Sequence, residues 1–243
     1  MELEPVRRRS AADHVFDQLL GRVVSGDIPP GTRLPAERAL TESLKVNRQT
    51  VREALQRLVQ AGLVHTHHGG GSRVLDYRTE ASLDLLPSLL VRTDGSVDSA
   101  VVRAIFEMRA CIGPDVAARC AARAPAGLAQ ELAALAAAVA AAGTPEERAR
   151  RDLDFWDLLV DGADNIAYRL AFNSLARTYE PVVDAVSTIL APELDDAVDR
   201  SAIAAAVGRG DAAGAEAAAR RLLAVGSVEM SRWLDALAEG EER

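Results

Sequence analysis

The sequence predicts a mainly α chain in two parts: an N-terminal head carrying one β-hairpin, then an all-α antiparallel bundle of six or seven helices. Apolar residues recur on a 3.6-residue period in nearly every segment. The one stretch of another kind is Leu63-Val64-His65-Thr66-His67, then Gly69-Gly70-Gly71, then Ser72-Arg73-Val74-Leu75, which reads as strand, glycine tip and strand. From about Thr79 onward no alternating pattern competes with the helical one.

In the head, Val15, Phe16, Leu19, Leu20, Val23 and Val24 make one helical face that ends at Ser25-Gly26. Ile28-Pro29-Pro30-Gly31-Thr32 then forces a turn, because two prolines cannot continue a helix and glycine supplies backbone freedom. Leu34 to Leu40 opens a second helix. A third follows Val46-Asn47, with Val51, Leu55, Leu58 and Val59 on one stripe and Arg48, Gln49, Arg52 and Gln56 on the other side. Asn47 suits the N-cap of that third helix, and Ala61-Gly62 stops it. Two helices around a tight turn, followed by a glycine-tipped wing, define a winged helix-turn-helix domain.

The polar side of the third helix has the chemistry of a major-groove reader. Arginine clamps a guanine edge or a phosphate with two parallel hydrogen bonds, and glutamine does the same to adenine. Arg48, Gln49, Arg52, Asn47 and Thr50 are therefore DNA-contact candidates, with the wing tip His68, Gly69 and Gly70 set to probe the minor groove. His67-His68 also raises metal binding, but histidines this close on a hairpin rarely converge on one ion.

These head residues resemble the GntR superfamily of bacterial transcription regulators. The resemblance rests on Pro29-Pro30-Gly31, on Leu34-Pro35-x-Glu37-Arg38, on Arg48-x-Thr50-Val51-Arg52-Glu53-Ala54-Leu55 and on His68-Gly69-x-Gly71, in order over about sixty residues. It implies double-stranded DNA as partner and makes Arg38 a phosphate or base contact, with an ordinary ion pair as the alternative. Glu53 is expected to order arginine side chains or cap locally. Gly70 stands where some relatives have lysine.

At 243 residues the chain holds two domains of ordinary size, expected at 8–77 and 78–240. The net charge of −8 sits oddly with DNA until the chain is divided: through Tyr77 there are 11 Lys+Arg against 9 Asp+Glu, and beyond it 17 against 27. The head is only mildly basic, so tight binding calls for two heads on one operator. The longest apolar run, Leu132 to Ala142, is short of the ~18 residues a membrane span needs. The N-terminal segment lacks the apolar core of a secretion signal, which points to the cytoplasm; its Arg7-Arg8-Arg9 is a solvated tail or an arm on the DNA backbone. Cys111 and Cys120 match neither a zinc spacing nor a disulfide framework and read as buried small residues.

In the second part, Leu128, Leu132, Leu135 and Val139 form one stripe, Tyr168, Phe172, Leu175, Tyr179, Val182 and Val186 a longer one, and Leu222, Val225, Met230, Trp233 and Leu237 a third. Gly95, Gly113-Pro114, Ala124-Pro125, Gly162, Pro192 and Gly208-x-Gly210 punctuate them. A helical bundle behind a winged head resembles the FadR subfamily of these regulators. The resembling residues are Val102-Arg103 to Arg123 with Met108-Arg109, Asp152-Leu153-Asp154-Phe155-Trp156 leading to Asp164-Asn165, and Gly210-Asp211-Ala212-Ala213.

The resemblance implies an effector held in the bundle. Most members of the subfamily bind a metal through an Asp-x-x-x-His pair and two later histidines. Here Asp152 is followed by Trp156 in the paired place, and the two later places fall near Arg200 and Leu222. All four histidines, His14, His65, His67 and His68, lie in the head, so no metal is expected. That pattern resembles the metal-free branch responsive to fatty acids and acyl-CoA, as do Asn165-Ile166-Ala167-Tyr168, Asn173 and Tyr179.

Arg109 corresponds to the effector-contacting arginine of these relatives. Around it Asp152, Trp156, Tyr168, Phe172, Tyr179, Ser227, Met230 and Trp233 are effector candidates, although each aromatic reads about as well as plain core. Ser227 and Trp233 are not spaced as in the relatives, which weakens contacts to a coenzyme moiety. The expected function is a homodimeric regulator of a palindromic operator, controlled by a long-chain fatty acid or acyl-CoA; a small carboxylate metabolite is the alternative. An enzyme is not expected. Asp152, Asp154 and Asp157 cluster, but the second domain has no histidine base and no phosphate loop.

Overall fold

The structure is a computed structural model that describes residues 10–67, 71–92, 95–179 and 182–241. The chain divides into two compact units, Met1–Val97 and Asp98–Arg243.

In the first unit, α1 (Ala11–Val24) opens with a reciprocal cap. The Asp13 N–H donates to Ser10 Oγ at 3.1 Å, and the Ser10 N–H donates to Asp13 Oδ2 at 2.7 Å. That backbone donor, first among several, holds the Asp13 carboxyl below its ordinary range. The helix buries Val15, Phe16, Leu19, Leu20 and Val23. α2 (Glu37–Leu44) ends on Lys45, whose φ of 52° turns the chain into α3 (Arg48–Gln60). Asn47 caps α3, accepting from the Thr50 N–H at 2.8 Å.

The wing is β1 (Val64–His67) and β2 (Gly71–Val74), antiparallel with Val64 opposite Val74. Sequence patterning missed a third strand-like piece. The segment after Pro29-Pro30 lies along β2, with the Gly31 N–H on Val74 O at 2.8 Å, the Val74 N–H on Thr32 O at 2.9 Å and the Leu34 N–H on Ser72 O at 2.8 Å. Past the expected boundary at Tyr77, α4 (Tyr77–Glu80), a short 3-10 turn and α5 (Leu86–Leu90) continue the unit. Leu85 is buried in the head core, and Tyr77, Ala81 and Leu89 pack against it.

Gly62 fixes where this extension meets α3. Its φ is +72°, and a Cβ there would lie 2.8 Å from the Glu80 carbonyl oxygen and 2.9 Å from Ala81 Cα. Backbone cannot yield as a flexible side chain does, so Gly62→Ala is expected to destabilise the first unit by about 2–3 kcal/mol. Hydrogen exchange of the α3 amides is the check. Unchanged protection would mean that the extension is not anchored through Gly62.

The second unit is helical among the described residues, with six long helices and two short ones. They are α6 (Ser99–Arg123), α7 (Leu128–Ala141), α8 (Pro145–Gly162), α9 (Ile166–Tyr179), α10 (Val183–Ile189), α11 (Ala191–Leu194), α12 (Ala197–Gly208) and α13 (Ala212–Glu241). Side chains of Asp98, Thr144 and Asp196 cap α6, α8 and α12. α6 packs along α13 and against α8 and α12, while α7 packs on α8 and α12. Buried Ala117, Ala215, Ala218 and Ala219 let helix backbones approach closely, and Leu132, Phe155, Leu159, Ile203 and Leu222 fill the space between them.

Gly113-Pro114 does not interrupt α6, contrary to the punctuation read from sequence. Both residues are buried inside the helix. A Cβ on residue 113 would overlap Leu223 of α13, so the glycine serves packing rather than a break. The long aromatic stripe expected from Tyr168 to Val186 is divided between α9 and α10. Ser174 and Thr178 are what α9 buries, their hydroxyls turned back onto the Leu170 and Ser174 carbonyls at 3.2 and 2.8 Å. Ile166 and Leu170 of the same helix are exposed. Cys120 is buried, which pushes its thiol up to about 11 and leaves it inert, whereas Cys111 is exposed and corrects the expectation for that residue. Among the described residues no helix is long and apolar enough to cross a membrane.

Candidate nucleic-acid interface and effector site

α3 rests on the head core through Val51, Ala54, Leu55 and Leu58, so its remaining face is presented to solvent. On that face Arg48 and Arg52 converge on one carboxylate at the start of α2. Arg48 Nε donates to Glu37 Oε2 at 3.1 Å, and Arg52 Nε to Glu37 Oε1 at 3.4 Å. The Arg48 hydrogen bond is the largest influence on Glu37 and, with Arg52, draws its carboxyl below the ordinary range against the opposing effect of burial. Gln49 Nε2 donates to Glu53 Oε1 at 3.0 Å, so Glu53 orders the glutamine rather than an arginine. Arg38 Nε pairs with Glu42 at 3.0 Å, with its side chain 91% exposed. Pairs this exposed are worth at most about 1 kcal/mol, so a phosphate can displace the carboxylate from any of these arginines.

Asn47 is exposed, but its side-chain oxygen is committed to the helix cap. Thr50 is buried, and its N–H is the group that cap satisfies; it supports the reading face from beneath rather than presenting its side chain. His68, Gly69 and Gly70 lie outside the described residues. The sequence reading overlooked two arginines at the base of the wing. Arg73 donates to the Gly31 carbonyl at 3.0 Å, and the Arg33 guanidinium lies against the open side of Gly71. Their strand-edge positions were the available signal, hidden by the unrecognised third strand.

In the second unit the effector candidates separate into groups. Tyr168 donates to Asp115 Oδ2 at 2.5 Å beside the Arg119–Asp115 pair, and that carboxylate raises the phenol above its ordinary range. Phe172 lies under Arg169, whose guanidinium carbon is 5.5 Å from the ring centroid and which also pairs with Asp157 and Asp161. These contacts tie α9 to α6 and α8 and occupy the polar ends of Tyr168 and Arg169. Ser227 donates to Leu223 O at 2.9 Å within its own helix, Met230 is buried and Trp233 is half-buried.

The other group surrounds two arginines, Arg109 with about a fifth of its side chain exposed and Arg200 wholly buried. Arg109, midway along α6, sets both terminal nitrogens on Glu193 of α11: NH1 on Oε2 at 3.0 Å and NH2 on Oε1. Its guanidinium carbon is 5.5 Å from the Phe106 ring centroid. Burial disfavours the Arg109 charge, but the Glu193 carboxylate outweighs it and keeps the guanidinium firmly protonated. Burial pushes Glu193 above the usual glutamate range, with Arg109 pulling it back. Tyr179 shares this environment: burial raises its phenol, and Arg109 opposes the rise. Gly226 of α13 leaves the room that the Glu193 carboxylate fills, since a Cβ there would overlap it.

Arg200 is wholly buried in α12. Its Nε donates to Asp152 Oδ1 at 2.9 Å, and its terminal nitrogens donate to the carbonyls of Leu194, Asp196 and Glu193 at 3.3, 3.0 and 3.2 Å. Asp152 is therefore a structural ion-pair partner, not an open effector group. The donor set does not fit a divalent metal, because the one carboxylate inherited from that pattern faces a guanidinium and this unit has no histidine. Among the described residues no group of three or more His, Cys, Asp or Glu is placed to hold an ion. One turn along α6 from Arg109, Gly113 faces the Trp156 ring. The buried Trp156 Nε1–H has no acceptor among the described residues.

Comparison with known proteins places these two units in a known context. Residues 11–74 match the model described as bacterial regulatory proteins, gntR family, and residues 104–225 match the FCD domain. The chain is 41% identical to the HTH-type transcriptional regulator Mce2R of Mycobacterium tuberculosis, over 95% of each chain. It is 29% identical to the fatty acid metabolism regulator protein of Pasteurella multocida, over 73% of this chain and 72% of that one. Among solved structures, the Listeria monocytogenes protein Lar covers 93% of this chain and 99% of its own at a TM-score of 0.59 and 16% identity, a likeness of fold alone.

Proposed function

This chain belongs to the gntR family of bacterial regulatory proteins, with an FCD domain behind its DNA-binding head, and from that premise we propose that it is a homodimeric regulator of a palindromic operator controlled by a long-chain fatty acid or acyl-CoA. It is a transcription regulator and not an enzyme. Two mildly basic heads on one site supply phosphate contacts that a single head lacks. Arg38, Arg48, Arg52 and Gln49 carry the reading, with Arg33 and Arg73 flanking the wing.

The observation that carries the effector assignment is the setting of Arg109 in the second unit: its guanidinium lies against Phe106 and Tyr179, while the other buried guanidinium, Arg200, is committed to Asp152, and the Trp156 N–H a turn away has no acceptor among the described residues. These groups suit an apolar chain with one polar head. The name of the Pasteurella multocida relative supports the same reading. A small carboxylate is the second reading, favoured by the forked geometry of Arg109. The effector acts by binding the DNA-fitting and non-fitting states unequally.

A thermal-shift series with palmitate, palmitoyl-CoA, succinate and zinc ions tests these readings. Palmitate or its CoA ester is expected to raise the Tm by several degrees, as about 100 Kd of ligand contributes about 2.7 kcal/mol. Succinate and zinc are expected to leave it unchanged. A larger shift with succinate would transfer the assignment to the second reading, and a stoichiometric zinc shift abolished by chelator would defeat the metal-free one.

A further inference from the structure

We propose that Glu193 is an internal competitor for the anionic head of the effector: it occupies the fork of Arg109, and a carboxylate ligand binds by replacing it there while Glu193 takes up one proton. The proposal rests on Arg109 being the effector's anchor and adds what holds that anchor when no ligand does.

Three observations lead to it. Both terminal nitrogens of Arg109 are taken by the two oxygens of one carboxylate, the arrangement a fatty-acid head group would use. That carboxylate comes from α11, a four-residue helix, and occupies space that exists because residue 226 is glycine. The charges facing Glu193 balance. Arg109 approaches from α6, Asp152 from α8, Tyr179 from α9 and Arg200 from α12, while α13 contributes the uncharged Gly226. Two guanidinium groups meet two carboxylates, so a third carboxylate would leave one negative charge uncompensated in the interior.

A proton is the available compensation. Once the ligand takes Arg109, Glu193 remains buried near Asp152 without its partner, and burial already favours its neutral form. The sign follows: protonation accompanies binding, so the affinity for a carboxylate rises as pH falls, by up to about tenfold per pH unit while one proton is taken up.

Isothermal calorimetry of tetradecanoate on the full chain, in two buffers of different ionisation enthalpy, counts the protons. One proton per tetradecanoate is expected, and none for the uncharged tetradecan-1-ol. Glu193→Gln is expected to bind tetradecanoate about tenfold more tightly and without proton uptake, since the ligand no longer competes with a charge. Zero uptake by the wild type overturns the proposal, as does a Glu193→Gln variant that binds no more tightly. If that variant does not fold, the wild-type proton count decides alone. Arg109→Gln separates the two layers. Full tetradecanoate affinity in Arg109→Gln refutes the anchor itself, whereas its loss without any gain in Glu193→Gln keeps the anchor and removes the competitor. Binding of tetradecanoate by neither wild type nor Glu193→Gln refutes both.

Discussion

Asp152→Ala is expected to destabilise the second unit by about 3–5 kcal/mol, the largest single-residue effect anticipated for this chain. The reason lies in what stays behind. Arg200 is wholly buried, and without Asp152 its guanidinium keeps only neutral carbonyl acceptors from Leu194, Asp196 and Glu193. A double variant, Asp152→Ala with Arg200→Met, removes both charges and is expected to recover most of the loss, because exchanging a buried pair for apolar groups is often neutral. Urea unfolding followed by tryptophan fluorescence isolates this unit, as both tryptophans, Trp156 and Trp233, lie in it. If the double variant is as unstable as the single one, the loss comes from packing rather than from a stranded charge.

Arg48→Ala and Arg52→Ala are each expected to weaken binding to the cognate operator by about 1–3 kcal/mol, roughly five- to more than a hundredfold, while leaving the fold intact. Both side chains are more than half exposed and touch Glu37 rather than core, so their removal costs the head little. Glu37→Gln is the informative companion. It withdraws the negative charge that holds both arginines and is expected to raise affinity for all DNA, thereby lowering the ratio of specific to non-specific binding. Fluorescence anisotropy across a salt series, on an operator selected from random duplexes, reads both terms. Wild-type discrimination in Arg48→Ala and Arg52→Ala together would remove α3 as the reading element.

The head was legible because its information is local. Caps, turns and stripes lie within a few residues of one another, so α1, α2, α3 and the hairpin appear where spacing places them. The strand-like segment through Arg33 escaped because its evidence is backbone pairing with β2, which leaves no side-chain period in so short a piece. In the bundle, the stripes located helices but not neighbours. Arg109 was singled out without its partner, since Glu193 stands 84 residues away on an element too short to show a period. Spacing did lead to Arg200, but only as a vacated metal position; that a guanidinium itself fills the place became visible only with Asp152 48 residues distant and 2.9 Å away. Aromatic character singled out Tyr168 and Phe172 but says nothing about which ion pair a ring end meets.

Arg200 also changes what the domain depends on. A counter-ion carried on the polypeptide is synthesised with it, cannot be stripped by a chelator and has no dissociation constant to exceed. A sensor that borrows its cation from solution answers to two supplies, that of the ion and that of the effector. One that brings its own, as the function proposed above would have it, would answer to the effector alone, and a cell starved of metal would then receive the same signal from it as one that is replete.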